Sequence, residues 1–226
     1  MGREIEIKIP LTDSQYDYVR DVIFGKSSVS GLTTSSPAKL FKKDEYFTCY
    51  DSRDERLKNG EPDVIRMRSE TIDDDEIKTY FTIKYKKLEN AIEVNREYES
   101  SVSNPEVMYI FFKEAGYHKW FSKEKHAYSC HCKMSSSADF DFHLELEIVN
   151  DSKWLEVEIV KSDAENAEDA SAAEASKNAK NAENSENDFA RKKLCDFVRL
   201  FDLDPSLKEP RSWYEIITGS RKNKIN

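Results

Sequence analysis

REIEIKI, residues 3–9, decides the fold: charged side chains and isoleucines alternate without a break. A period of two marks a β-strand, because successive side chains leave a strand on opposite faces. Glu4, Glu6 and Lys8 therefore share one face, and Ile5, Ile7 and Ile9 share the other. Pro10 ends the run. Thr12 followed by Gln15 has the form of a capping box, and Tyr16, Val19, Val22 and Ile23 continue as a helical stripe.

The same alternation recurs along the chain. Strands are expected at about 42–50, 63–70, 78–87, 92–101, 118–123, 125–133, 141–149 and 153–161. Arg66 and Arg68 oppose Ile65 and Met67. Lys84 and Lys86 flank Tyr85, Glu97 and Glu99 flank Tyr98, and Lys123 pairs with Lys125. Glu145 and Glu147 face away from Leu144, Leu146 and Ile148, as Glu156 and Glu158 do from Leu155, Val157 and Ile159. Asn104 and Pro105 open a helix with apolar positions Val107, Met108, Phe111 and Phe112, which Gly116 ends. Leu194, Phe197, Val198 and Phe201 mark a last amphipathic helix, and residues 25–39 and 52–62 read as polar connections.

A wet sheet face alternates in this way with no function attached. Two features go further. The signs are sorted, so that both members of a pair match, and like charges two residues apart repel unless an opposing charge or a ligand answers them. The opposite face is apolar on nearly every strand, and the helices offer apolar stripes to cover it. The charged face is then free to point inward. A closed barrel of about eight strands holds a small ligand. Carboxylate pairs suit divalent cations, and lysine or arginine pairs suit phosphate oxygens.

Composition sets the outer limits. The chain has 226 residues, 35% charged and 38% hydrophobic, with a formal net charge of −9. That suits one folded domain and disfavours binding to a nucleic-acid backbone. No signal-peptide pattern and no run near the length of a membrane span is present, so a soluble cytoplasmic protein is expected. Cys49, Cys130, Cys132 and Cys195 show no disulfide spacing. Cys130-His131-Cys132 lacks the second ligand pair of a structural zinc site. His118 and His126 read as ordinary, and His143 lies in phase with Glu145 and Glu147. Residues 162–187 contain no apolar side chain larger than alanine and read as a low-complexity insertion, disordered or a lone solvated helix.

Glu4-x-Glu6-x-Lys8 is similar to the opening motif of the CYTH superfamily, the triphosphate tunnel metalloenzymes. Further matches follow in family order. Asp44-x-Tyr46-Phe47 resembles the DxYF strand, Ile65-Arg66-Met67-Arg68 the LRxR strand, Thr82-Ile83-Lys84 the TLK strand, and Arg96-Glu97-x-Glu99 the R-E-x-E strand. Lys123 and Lys125 fall at the KxR pair, Glu145 to Val149 at the LDxV strand, Leu155 to Glu158 at the last ExE strand, and Arg211 to Tyr214 near the terminal SY motif. The resemblance spans roughly residues 3–217, less the insertion. The chain departs from it at Lys125, in place of arginine, at Lys86, and at Trp213, which interrupts the SY pair.

The resemblance implies an α+β fold over residues 1–226, a closed eight-stranded antiparallel tunnel with flanking helices. It implies Mg2+ or Mn2+ held by Glu4, Glu6, Glu147, Glu156 and Glu158, with Glu97, Glu99 and Glu145 as further acidic wall residues. Lys8, Arg66, Arg68, Lys84, Lys123 and Lys125 would contact phosphate. Lys84, Tyr46 and Lys8 would form the catalytic centre, with Tyr46 beside Lys84 in proton transfer. The implied partner is a small triphosphate (tripolyphosphate, thiamine triphosphate or ATP), with no nucleic acid or membrane, bound by a monomer or homodimer. Hydrolysis needs only cradle, metal and water, which puts a triphosphatase ahead of a class IV adenylyl cyclase. A binding module without turnover is the third reading.

Overall fold

The structure is a computed structural model and describes residues 2–137, 140–162 and 174–219. Nine strands are described: β1 (Gly2–Leu11), β2 (Leu32–Thr34), β3 (Ala38–Thr48), β4 (Val64–Ile72), β5 (Lys78–Glu89), β6 (Ile92–Ser101), β7 (His118–Met134), β8 (Phe142–Val149) and β9 (Ser152–Ser162). Eight of them close a ring of antiparallel neighbours in the order β7, β3, β4, β5, β6, β1, β9, β8 and back to β7. The short β2 extends the ring on the edge of β7 beyond β3. A closed ring leaves no bare sheet edge, and its size leaves room inside for side chains and one small ligand.

Two hairpins show how the local sequence turns the chain. Asn90-Ala91 joins β5 to β6, and Asn150-Asp151 joins β8 to β9, all four with positive φ between 46° and 63°. A two-residue turn with both residues in that region matches the right-handed twist of its strands, and asparagine tolerates it well.

The hydrophobic core lies outside the ring. Ile5, Ile7 and Ile9, at most 1% exposed, pack with Leu144, Leu146, Leu155 and Val157 beneath two helices. One is α1 (Asp13–Ile23), opened by the expected Thr12/Gln15 capping box. The other is the long α4 (Glu174–Arg199). Its Leu194, Phe197 and Val198 are fully buried, and Phe197 stacks on Phe142 with ring centroids 4.6 Å apart. On the opposite flank α3 (Pro105–Glu114) covers Phe47, Ile65 and Met67 with Phe112.

Several elements differ from the sequence reading. The two strands expected at 118–123 and 125–133 are one continuous 17-residue β7. The polar connections hold β2 and a short α2 (Arg53–Lys58). The α3 stripe is narrower than expected: Phe112 is buried, while Val107 and Phe111 are exposed. Of the 162–187 segment, residues 163–173 lie outside the described residues. Residues 174–187 are helical and form the first half of α4. No helix among the described residues is long and apolar enough to cross a membrane.

Candidate functional site: the barrel interior

Alternation that buries isoleucines outside sends charge inside. β1 contributes Glu4, Glu6 and Lys8, and its neighbours place Glu158 and Glu93 directly across from Glu6. β4 supplies Arg66 and Arg68, β5 Lys84 and Lys86, β7 Lys123 and Lys125, and β8 Glu145 and Glu147. Every one of these eight except Arg68 and Lys86 is under 10% exposed. The inside of the barrel is therefore a buried lattice of paired charges, not a wet face.

A cavity of about 220 Å³ occupies part of this interior. Its wall includes Glu4, Glu6, Arg66, Arg68, Lys84, Lys125, Glu156 and Glu158. The opposite end of the barrel is stoppered. The chain after α4 returns with Glu209 N–H donating to the Lys8 carbonyl at 2.8 Å, and Lys8 Nζ donates to the Arg211 carbonyl at 3.0 Å. A short α5 (Trp213–Thr218), opened by a Ser212/Glu215 capping box, then places Trp213 against Trp154. The Lys8 and Lys123 ammoniums lie 5.1 and 4.6 Å from the Trp213 ring centre. A smaller pocket of about 60 Å³ lies at this end between Tyr46, Trp120, Trp213 and Tyr214.

Most of the cations already have carboxylate partners. Asp44, fully buried on β3, takes the Arg68 guanidinium in two bonds of 2.7 and 3.1 Å, with Lys123 Nζ at 3.3 Å and Arg66 at 3.9 Å. Burial alone would raise its carboxyl, and the three cations overcome that and hold it well below the usual range. Lys84 bridges Glu4 at 2.7 Å and Glu97 at 2.6 Å. Lys125 binds Glu145 at 2.8 Å and also Glu147, while Lys42 binds Glu145 and lies 3.3 Å from Glu70. Lys86 reaches Glu93 at 2.5 Å. Lys123 is the exception among the lysines: desolvation brings its ammonium down to about 7 in spite of Asp44.

The carboxylates on β1 are the under-compensated ones. Oxygens of Glu4, Glu6 and Glu158 all lie within 4.8 Å of one another. Burial pushes Glu4 up to about 7 although Lys84 opposes it, and burial with Glu93 and Glu156 nearby pushes Glu6 up to about 8. Glu147 is likewise raised by burial, while at Glu156 burial is overcome by Lys125, Lys123 and Lys8 together, which lower it. Three hard oxygen donors converging where negative charge is in excess suit a divalent cation of the magnesium or manganese type.

The structure thus gathers Glu4, Glu6 and Glu158 into one cluster beside Lys84, Arg66 and Arg68. Glu156 lines the same cavity, whereas Glu147 is turned to Lys125. Lys8 and Lys123 sit at the stoppered end by Trp213. Tyr46 is buried with its hydroxyl directed to Asp44 at 3.4 Å, while Lys84 is directed to Glu4 and Glu97. Reading the sequence pairwise missed Lys42, Asp44, Glu70, Glu93 and Ser129 as interior residues. Each lies an even number of residues from an assigned one on the same strand, and that phase is the signal that places it inside.

No protein-family model matches the chain, and no curated protein matches it. Solved structures do. A protein of Pyrococcus horikoshii superposes with a TM-score of 0.65 at 17% identity, covering 96% of this chain and 99% of its own. A conserved hypothetical protein of Pyrococcus furiosus gives 0.59 at 18% identity, covering 94% and 98%. A proposed adenylate cyclase of Vibrio parahaemolyticus also gives 0.59, at 14% identity, covering 95% and 97%. The shared feature is the fold: the chain has the closed eight-stranded tunnel that its resemblance to the CYTH superfamily implies.

Proposed function

We propose that this protein is a divalent-metal-dependent enzyme that takes a small triphosphate into its barrel and hydrolyses it. The carrying observation is the cavity wall itself. Eight carboxylates, those of Glu4, Glu6, Glu70, Glu97, Glu99, Glu145, Glu156 and Glu158, face five cationic side chains, those of Lys42, Arg66, Arg68, Lys84 and Lys125. Such a lining repels a bare polyanion and accepts one that arrives with cations.

Glu4, Glu6 and Glu158, with Glu156 beside them, would hold Mg2+ or Mn2+. The cation would neutralise phosphate oxygens and orient the attacking group. Arg66 and Arg68 offer fork-shaped donors to the phosphate chain, and Lys84 and Lys125 offer point charges. With a cation held by the Glu4 carboxylate, Lys84, which now binds Glu4 and Glu97, would be free to turn to phosphate. Asp44 keeps the Arg68 guanidinium aimed, so its donors are preorganised before the ligand enters. Lys123, lowered to about 7 by desolvation, stands at the closed end beside Asp44, outside the cavity wall.

A second reading is a class IV adenylyl cyclase, in which the ribose 3′-hydroxyl attacks the α-phosphorus of ATP and releases pyrophosphate. The likeness to the Vibrio protein, which bears that proposed name, supports it. The two separate on products. Incubation with tripolyphosphate, thiamine triphosphate and ATP, each with Mg2+ or Mn2+, should yield orthophosphate. Cyclic AMP with pyrophosphate would establish the cyclase instead, and turnover of none of the three would leave a binding module.

A further inference from the structure

His143 stands on β8 directly across from Glu158 on β9, and both line the cavity. Its Nδ1 lies 2.8 Å from Glu158 Oε1, and its Nε2 lies 2.6 Å from Ser129 Oγ on β7. An ionised carboxylate only accepts, so Nδ1 carries a proton and donates it to Glu158. The far nitrogen meets a hydroxyl that can donate or accept, so the ring is held at both ends. The chain of contacts crosses three adjacent strands, from β7 through β8 to β9.

Glu158 has reason to turn away without that bond. It lies opposite Glu6 across the β1–β9 pair, and Glu4 is in the same cluster, so two carboxylates repel it. A glutamate side chain also loses considerable rotamer freedom when it is fixed. The described lysines and arginines bind other acids: Lys84 takes Glu4 and Glu97, and Lys125 takes Glu145 and Glu147. The hydrogen bond given to Glu158 comes from His143 alone among the described residues.

We infer that His143 is a positioning residue for the cation site: it fixes the Glu158 carboxylate beside Glu4 and Glu6, and Ser129 locks the imidazole that does so. This rests on the cation reading above. A donor behind a metal-binding side chain sets that side chain's orientation and basicity, and losing it costs about 10- to 100-fold in metal affinity.

The test is direct binding of Mn2+ to the substrate-free protein, followed by electron paramagnetic resonance of the free ion, so that turnover plays no part. Wild type should bind. His143→Ala should weaken binding about 10- to 100-fold. His143→Asn, whose amide nitrogen stands near the place of Nδ1, should recover most of it, and His143→Gln, whose nitrogen stands near the place of Nε2, should not. Ser129→Ala should weaken binding by a smaller factor, and it keeps the test open if the alanine variant at 143 fails to fold. Unchanged or tighter Mn2+ binding in His143→Ala, with binding lost in Glu158→Gln, would overturn the positioning role and leave the cation site standing. No Mn2+ bound by wild type would overturn both.

Discussion

Asp44 and Glu6 are both buried carboxylates inside one barrel, and their surroundings are opposite. Asp44 faces Arg66, Arg68 and Lys123, which hold it ionised well below the usual range. Glu6 faces Glu93 and Glu156, and with burial they push it up to about 8. The Asp44 end is a finished electrostatic structure, whose charges answer one another. At the Glu4–Glu6–Glu158 end a charge is still wanting. That difference separates what the fold needs from what a ligand would complete.

The largest effect expected from this contrast is at Asp44. Asp44→Ala leaves Arg66, Arg68 and Lys123 buried without their shared partner, which costs about 3–5 kcal/mol. Glu6→Gln relieves repulsion and should leave stability at pH 8 unchanged or raised. Chemical denaturation of both variants without divalent ions checks this. Equal losses in the two would erase the distinction between the ends.

Arg66→Ala comes next. It keeps the Asp44–Arg68 pair and removes a phosphate donor, so tripolyphosphate binding should weaken by about 10- to 150-fold, the worth of a charge-assisted hydrogen bond at roughly 1.5–3 kcal/mol. Arg66 is also buried against Asp44, Glu97 and Glu99, so a loss of stability is expected beside the loss of affinity. A titration at saturating Mg2+ decides, and unaltered affinity would remove Arg66 from the cradle.

A pH series sharpens the comparison further. The raised Glu4 and Glu6 keep protons in the folded protein that the unfolded chain has released. The native state then binds more protons, and stability falls as pH rises from about 4.5 to about 8. Asp44 has the reverse sign: its contribution is present above the ordinary carboxyl range and is lost as pH falls below it. The double variant Glu4→Gln with Glu6→Gln should flatten the decline towards pH 8 and leave the acid limb in place. An undiminished decline would show that other groups produce it.

Much of this was legible in residues 3–9. Alternation assigned Glu4 and Glu6 to one face and Ile5 and Ile7 to the other, and the sorted signs pointed the charges inward. The Thr12/Gln15 box and the Leu194–Phe197–Val198 stripe placed two covering helices. Pairing across strands was not legible. That Asp44 meets Arg68 and Lys123, or that His143 meets Glu158, follows from register, which is set by which strands are neighbours and not by spacing along one strand. The unbroken β7 is not legible in the sequence because charged Glu124 interrupts the pattern between the two runs, whereas Ser122 to Lys125 pair with β3 without a break. The α3 stripe was drawn too wide because exposed Val107 and Phe111 share the hydrophobicity of buried Phe112.

The smallest effect is expected from residues 163–173. They carry no large apolar side chain, so a short Gly-Ser linker in their place should shift neither melting nor turnover measurably. A clear loss of either would mean that this segment contributes to the fold or the site.

The barrel is expected to bind a triphosphate only together with a cation, because the carboxylates of its cavity wall outnumber the cationic side chains. Calorimetric titration of wild-type protein with tripolyphosphate, once in Mg2+ and once in excess EDTA, tests it most directly. Binding should be tight in Mg2+ and mostly lost in EDTA. Equal affinity in both, or binding in neither, would contradict it.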